Sequence, residues 1–296
     1  MDSQSNAIPG AGIQSRAVAP GLPPIVRPLY WSIKRELWEN KSIYIAPLIV
    51  AGLILLGNAI GGVGGGFSGN FAAGDKTRHF SLSSYDFAAD LIMGTTLLVA
   101  VFYCLDALYG ERRDRSILFW KSMPVSDAVT VLSKASIPLV VIPLLTWGLT
   151  VVTQAIMFLL NGTIFRAANP EWAHPRLFQD WLGLLYHLVA IHSLWYSPMF
   201  AWLLLVSAWA RRAVILWAVV PPVGIGILER LIMHSSHFAE MMSYRFAGPQ
   251  GSMNAHSMTR VTPSELLATP GLWLGLAVTA IFLGLAIQVR RYRGPV

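Results

Sequence analysis

The stretch FAADLIMGTTLLVAVFYCLDAL, residues Phe87–Leu108, is apolar save for Asp90 and Asp106 near its two ends, and GERRDRSILFWKSMPVSDAVTVLSK, residues Gly110–Lys134, follows it with charges, an apolar patch and a turn. A hydrocarbon core of about 30 Å takes roughly 20 helical residues to cross. The first stretch meets that length, and the second is too polar to follow it into lipid. Working outward, five further runs qualify: Ile43–Gly61, Ala135–Leu160, Leu182–Ala210, Ala213–Met233 and Leu272–Val289. Only helices or closed barrels can satisfy the backbone in lipid, and runs of this length predict helices. The expected fold class is therefore an all-α membrane protein with six transmembrane helices.

Composition points the same way. Of 296 residues, 54% are hydrophobic and only 12% charged, with a mean hydropathy of +0.54, outside the range of soluble domains. The net charge of +7 would suit nucleic acid. Its basic residues instead sit in short segments beside apolar runs, where they orient spans, so nucleic-acid binding is set aside. Cys104 is the sole cysteine and lies inside a span, which leaves no intramolecular disulfide and no cysteine metal cluster.

Residues 1–27, rich in Pro and Gly and lacking a basic n-region before an apolar core, read as a disordered cytoplasmic tail rather than a signal peptide. The excess of Lys and Arg beside spans predicts both termini inside. That side collects Lys34, Arg35, Lys41, Arg112, Arg113, Arg115, Lys121, Lys134, Arg211, Arg212, Arg290, Arg291 and Arg293; the other holds Lys76, Arg78, Arg166, Arg176, Arg230, Arg245 and Arg260. The transmembrane domain covers 43–290, with a short cytoplasmic C-terminus at 291–296. Prolines fall inside three spans: Pro138 and Pro143, Pro198, and the pair Pro221 and Pro222. With Gly224 and Gly226 just beyond that pair, the fifth span is the expected broken helix.

Pro28–Ser42, PLYWSIKRELWENKS, has helical periodicity. Leu29, Tyr30, Ile33 and Leu37 fall on one face and Arg35, Glu36 and Glu39 on the other, which predicts an amphipathic helix in the headgroup plane. Trp31 and Trp38 share an edge of it. In the loop after span two, Glu111–Arg115 is a dense charged run and Ile117–Trp120 an apolar patch too short to span. Pro124 precedes Ser126 and Asp127, either of which can cap the next helix. A short helix with a charged end and an apolar patch suits insertion into a groove on a soluble partner.

This loop resembles that of type-2 ABC transporter permeases, which reads Glu-Arg, a Gly-Thr-Leu-like step, an apolar helix, Pro-Val-Ser and a Lys entering the third span. The matching residues are Glu111, Arg112, Leu118, Pro124, Val125, Ser126 and Lys134; Arg115, Ser116 and Ile117 stand where Gly-Thr-Leu is usual. The resemblance implies the permease subunit of an exporter in a bacterial inner membrane, paired with a second copy and two ATPase subunits. The expected ATPase-coupling residues are Glu111, Arg112, Arg113, Asp114, Arg115, Leu118, Phe119, Trp120 and Pro124 in a coupling helix between spans two and three, with Lys34, Arg35 and Glu39 in the N-terminal helix. The chain itself would carry no cofactor and no catalytic residue, with ATP and Mg held by the partner ATPase. The same resemblance makes spans two and five the expected pathway walls.

The nearest approach to a phosphate loop is GNFAAGDKT, Gly69–Thr77, where Asp75 intrudes between Gly74 and Lys76 and no buried strand precedes it. It reads as a decoy, and the glycine run Gly61–Gly66 as a flexible exit from span one. Asp90, Asp106, Glu229, Arg230, His187 and His192 lie within or at the ends of spans, where ionisable groups are functional candidates. His187 and His192, five apart, do not share an α-helical face well and read as packing residues. In the last outer loop His234, His237 and Met241 would share a helical face and suit copper in its softer state. The plainer reading, exposed histidines and packing methionines, leaves no metal site assigned. Two rival functions remain open: an integral-membrane enzyme, for which no carboxylate pair or His-Asp set converges in the sequence, and a permease-like sensor or anchor that does not transport.

Overall fold

The computed structural model describes residues 26–60, 67–73, 76–82, 84–117, 126–164, 177–247 and 263–292. The tail, the glycine run 61–66 and the loop residues 118–125 lie outside them. In chain order the elements are α1 (Val26–Glu39), α2 (Ser42–Ala59), β1 (Phe67–Ala73), β2 (Lys76–Leu82), α3 (Ser84–Asp106) and α4 (Tyr109–Arg113). Next come α5 (Asp127–Ser136), a π-helical turn π1 (Ile137–Val141), α6 (Ile142–Ile164), α7 (Leu177–His187), π2 (Leu188–Trp195) and α8 (Ser197–Trp209). The chain ends with α9 (Val214–Ile232), α10 (His237–Ala247), α11 (Pro263–Ala268) and α12 (Pro270–Tyr292).

Five of the described helical stretches are long and apolar enough to cross a membrane, or six if the bent pair Leu177–Trp195 with Ser197–Trp209 is counted as one span. Large apolar side chains such as Leu53, Leu98, Leu159, Leu231 and Ile281 point outward. Water would penalise that surface and a bilayer does not. The chain is a multi-pass membrane protein. α12 packs along α8, α3 lies against α2, α6 and α8, and α9 touches the rest mainly through α8, α10 and α3. The main core joins Ile43 of α2, Cys104 of α3, Ile137 of π1 and Phe200 and Leu204 of α8.

The described bundle is helical, as the all-α class expects, and the one exception is short. β1 and β2 form an antiparallel hairpin with Gly69 opposite Phe80 and Ala72 opposite Thr77. Its two arms flank Gly74-Asp75, a sequence favoured in two-residue hairpin turns. The phosphate-loop decoy thus falls across a hairpin, whereas that motif needs a strand leading into a helix.

The sharp bend falls in the fourth apolar run, not the fifth. α7 and π2 meet α8 at an angle of 47° at Tyr196, and Pro198 occupies the first turn of α8, where its missing N–H costs nothing. Pro138 and Pro143 fall where the continuous helix 127–164 passes into and out of the π-helical turn π1. Pro221 and Pro222 instead lie inside a continuous α9. Proline at 222 removes the amide that would bond the Ala218 carbonyl four residues back, and Trp202 Nε1 donates to that oxygen from α8 at 3.1 Å.

π2 also changes the reading of the two histidines. A π-helix bonds i to i+5, so residues five apart come into line. His187 and His192 have ring centroids 5.7 Å apart, and His192 and Tyr196 again 5.7 Å. Both histidines are buried. The α-helical period predicts that they diverge, and the local switch of period brings them together.

Candidate functional site: a buried ionic node

α1 is amphipathic, but its faces are not divided as the pattern suggests. Ile33 and Leu37 pack on the main core, while Glu36, expected on the polar side, is 2% exposed. A buried carboxylate persists only when paired and hydrogen-bonded. Glu36 Oε1 accepts from Lys134 Nζ at 2.8 Å and Oε2 from the Tyr103 hydroxyl at 3.0 Å. The outward edge of α1 carries Trp31 and Trp38, with the Lys34 ammonium 5.2 Å from each ring centroid.

Glu111, in α4, stands beside Glu36 and is almost as buried. Its Oε1 lies 3.2 Å from Lys134 Nζ and 3.3 Å from Arg35 Nη2, and its Oε2 lies 2.7 Å from Arg290 Nη1. Arg290 Nε reaches Asp127 Oδ1 at 3.0 Å, and Arg35 Nε reaches Glu39 Oε1 at 2.8 Å. Burial works against the Arg35 charge, but the hydrogen bond to Glu39 and the fields of Glu36, Glu39 and Glu111 outweigh it and push the guanidinium above its ordinary value. Four carboxylates and three cations from α1, α4, α5 and α12 thus form one network, with α3 contributing Tyr103.

Two contacts bolt this network to span four. Ser207 Oγ accepts from the backbone amides of Leu108 at 3.0 Å and Tyr109 at 2.9 Å, where the chain leaves α3 for α4. Arg112 Nη1 donates to the carbonyls of Ala208 at 2.6 Å and Ala210 at 3.0 Å, covering acceptors at the end of α8 that have no helical partner. Just past the end of α4, Arg115 has φ 57°, the left-handed region that glycine enters without strain. Beside the node an open cleft of about 430 Å³ is rimmed by Glu39, Asp106 and Asp114.

Of the sequence-predicted residues, Glu111 and Arg112 face inward and their polar atoms serve the fold itself. Arg35 is partly covered by the same network, and Glu39, Arg113, Asp114 and Arg115 are on the surface. Leu118, Phe119, Trp120 and Pro124 lie outside the described residues. Ser126 caps α5 by accepting from Val129 N at 3.3 Å, so Asp127 is left to pair with Arg290. Glu36, Lys134, Arg290, Tyr103 and Ser207 escaped the sequence reading as site residues. The available signal was opposite charge gathered at one membrane edge: Lys134 leading into span three and Arg290 closing span six, against Glu36 and Glu111.

The other candidates separate. Glu229 Oε1 accepts from Ser235 Oγ and Oε2 from Phe238 N, both at 2.8 Å, so it caps α10. The face expected for His234, His237 and Met241 does not form, because α10 begins at His237 and His234 precedes it with φ 51°. Among the described residues no group of three or more His, Cys, Asp or Glu is placed to hold a metal ion.

Chemically, both carboxylates at the centre of the node are matched by cations, so neither is a free base or nucleophile. What the node can do is transmit force, since α1 and α4 cannot shift without dragging the ends of spans three and six. No protein-family model, curated protein or solved structure matches this chain.

Proposed function

We propose that this chain is the permease subunit of an ATP-binding cassette exporter in a bacterial inner membrane. It pairs with a second copy and with two separate ATPase subunits that hold ATP and Mg, and its termini and the ionic node face the cytoplasm. The observation that carries this reading is the node. It fastens α1 and α4, the two elements that the resemblance assigns to motor docking, to Lys134 at the head of span three and Arg290 at the foot of span six. A push delivered to either element by closing ATPases passes into the bundle through short ionic contacts, which is what an exporter without its own phosphate loop requires. Arg115 adds support to the register of the loop: it stands at the resemblance's glycine position with a glycine-like φ.

Surface charge then divides the labour. Arg113 and Asp114, paired with each other at 3.1 Å and both more than half exposed, are offered to the partner, and Glu111 and Arg112 hold the platform. The test is co-purification from cells that express the chain with the ATPase encoded beside it, followed by reconstitution in vesicles. Reversing Arg113 and Asp114 (R113E with D114R) is expected to abolish ATPase recovery while the permease keeps its fold. Absence of any ATPase partner, ATP turnover by the pure chain, or labelling that puts residue 113 outside would overturn the reading. Vesicles that recover the ATPase yet move no solute would favour the sensor or anchor instead.

A further inference from the structure

Within α12, Gly271 and Arg290 are separated by roughly 28 Å at the rise of an α-helix, so the first turn of α12 lies at the end of the bundle away from the node. There Arg245 of α10 inserts its guanidinium between two spans. Nη2 donates to the Gly271 carbonyl at 2.7 Å and Nη1 to the Trp195 carbonyl at 3.4 Å, while Cζ sits 4.6 Å from the centroid of the Trp195 ring. Trp195 Nε1 donates back to the Arg245 carbonyl at 2.9 Å, and the Tyr196 hydroxyl to that of Phe246 at 3.1 Å. Trp195 is the last residue of π2, at the break in span four, where the amides of Met199 and Phe200 both turn to the Tyr196 carbonyl. Arg245 therefore covers an acceptor that the break exposes.

The fit depends on the residue beneath it. A Cβ at Gly275 would lie 2.5 Å from Arg245 Nη2 and 2.9 Å from Cζ, so any larger residue there would push the guanidinium out of this position. Among the described residues no carboxylate pairs with Arg245, and burial pulls its pKa below the ordinary value, against a smaller opposing effect of Tyr244. Arg35 in the node is shifted the other way. The same cation type is thus held by charge at one end of the bundle and by neutral acceptors and an aromatic face at the other.

α10 is attached at its two ends and little between. Its start is capped by Glu229, just after His234 at φ 51°. Along it only Phe238, Met242 and Arg245 are partly covered, a single stripe at helical spacing, and the remaining described side chains are exposed.

We propose that α10 is a hinged arm, with the turn at His234 as its hinge and Arg245 as a removable latch, and that withdrawal of the latch opens the bundle at the break in span four. Ser197 reports on it. It is buried directly past the break, and its Oγ lies 3.0 Å from Thr279 Oγ1, one turn beyond Gly275 on α12. Cys104, 0% exposed in the main core, serves as an internal control.

The experiment compares full-length S197C protein with S197C carrying R245A or G275A, each in lipid nanodiscs. A charged, membrane-impermeant thiosulfonate is added, and modification of each cysteine is followed by mass spectrometry. Both latch variants are expected to raise the labelling rate at position 197 at least tenfold with Cys104 still protected, and combining them is expected to add little. Unchanged labelling at 197 in both variants would refute the latch. So would equal acceleration at 104 and 197, because Arg245 would then hold the whole fold rather than one end of it.

Discussion

The Lys134 ammonium lies 2.8 Å from Glu36, a residue 98 positions earlier in the chain, and the two are among the most buried charged side chains in the bundle. Removing one partner of such a pair strands the other charge, at a cost of about 3–5 kcal/mol. Lys134→Met is expected to destabilise by that amount, and Glu36→Gln somewhat less because Tyr103 can still donate to it. The double variant should lose less than the sum of the two. Thermal unfolding in detergent of the four proteins in this cycle measures the difference.

Ser207→Ala removes the single oxygen that accepts from two backbone amides, those of Leu108 and Tyr109. Each buried donor left without a partner costs about 1–3 kcal/mol. The loss should appear as lowered thermal stability, with faster hydrogen exchange confined to the start of α4.

Arg112→Lys keeps the charge and loses the rigid guanidinium whose Nη1 reaches both Ala208 and Ala210. A flexible ammonium replaces it poorly, and a loss of about 1–3 kcal/mol is expected. Equal melting temperatures for the variant and the parent would contradict this assignment.

Trp202→Phe leaves the Ala218 carbonyl, already without its helical donor because of Pro222, with nothing in its place. α9 should then bend at the proline pair. Spin-label distances between its two ends, shorter in the variant, would register the bend.

Arg115→Gly relieves a left-handed backbone that costs a non-glycine residue about 1–2 kcal/mol. Glycine's extra freedom in the unfolded chain offsets part of that. The expected outcome is a neutral or slightly raised melting temperature, whereas Arg115→Val should lower it.

Legibility in the sequence divides along physical lines. Spans are legible because apolar length is a property of contiguous residues. Residues such as Leu98 and Ile281, which face outward, signal lipid as clearly as buried ones do. The node is half legible: Glu111 and Arg112 stand out as part of a charge run, but which charges are inside depends on partners such as Lys134 and Arg290 that only the packed bundle supplies. Glu36 is misplaced by a helical wheel, which assigns carboxylates to solvent and contains no lysine arriving from another helix. His187 and His192 are misjudged for a different reason, since the wheel assumes 3.6 residues per turn through a segment that does not keep it. Pro221 and Pro222 are the most conspicuous prolines and point to a break in span five, but a remote indole has repaired that site.

The π-helical turn at Leu188–Trp195 also sets the rotational phase of α8. Shortening that stretch by a single amino acid, so that it relaxed to ordinary helix, would rotate everything downstream by about 100°. Ser207 would swing away from the amides it serves, and Ala208 with Ala210 would leave the reach of Arg112. Length in this segment is therefore constrained more tightly than side-chain identity, and a one-residue deletion there should be less tolerated than most substitutions within it.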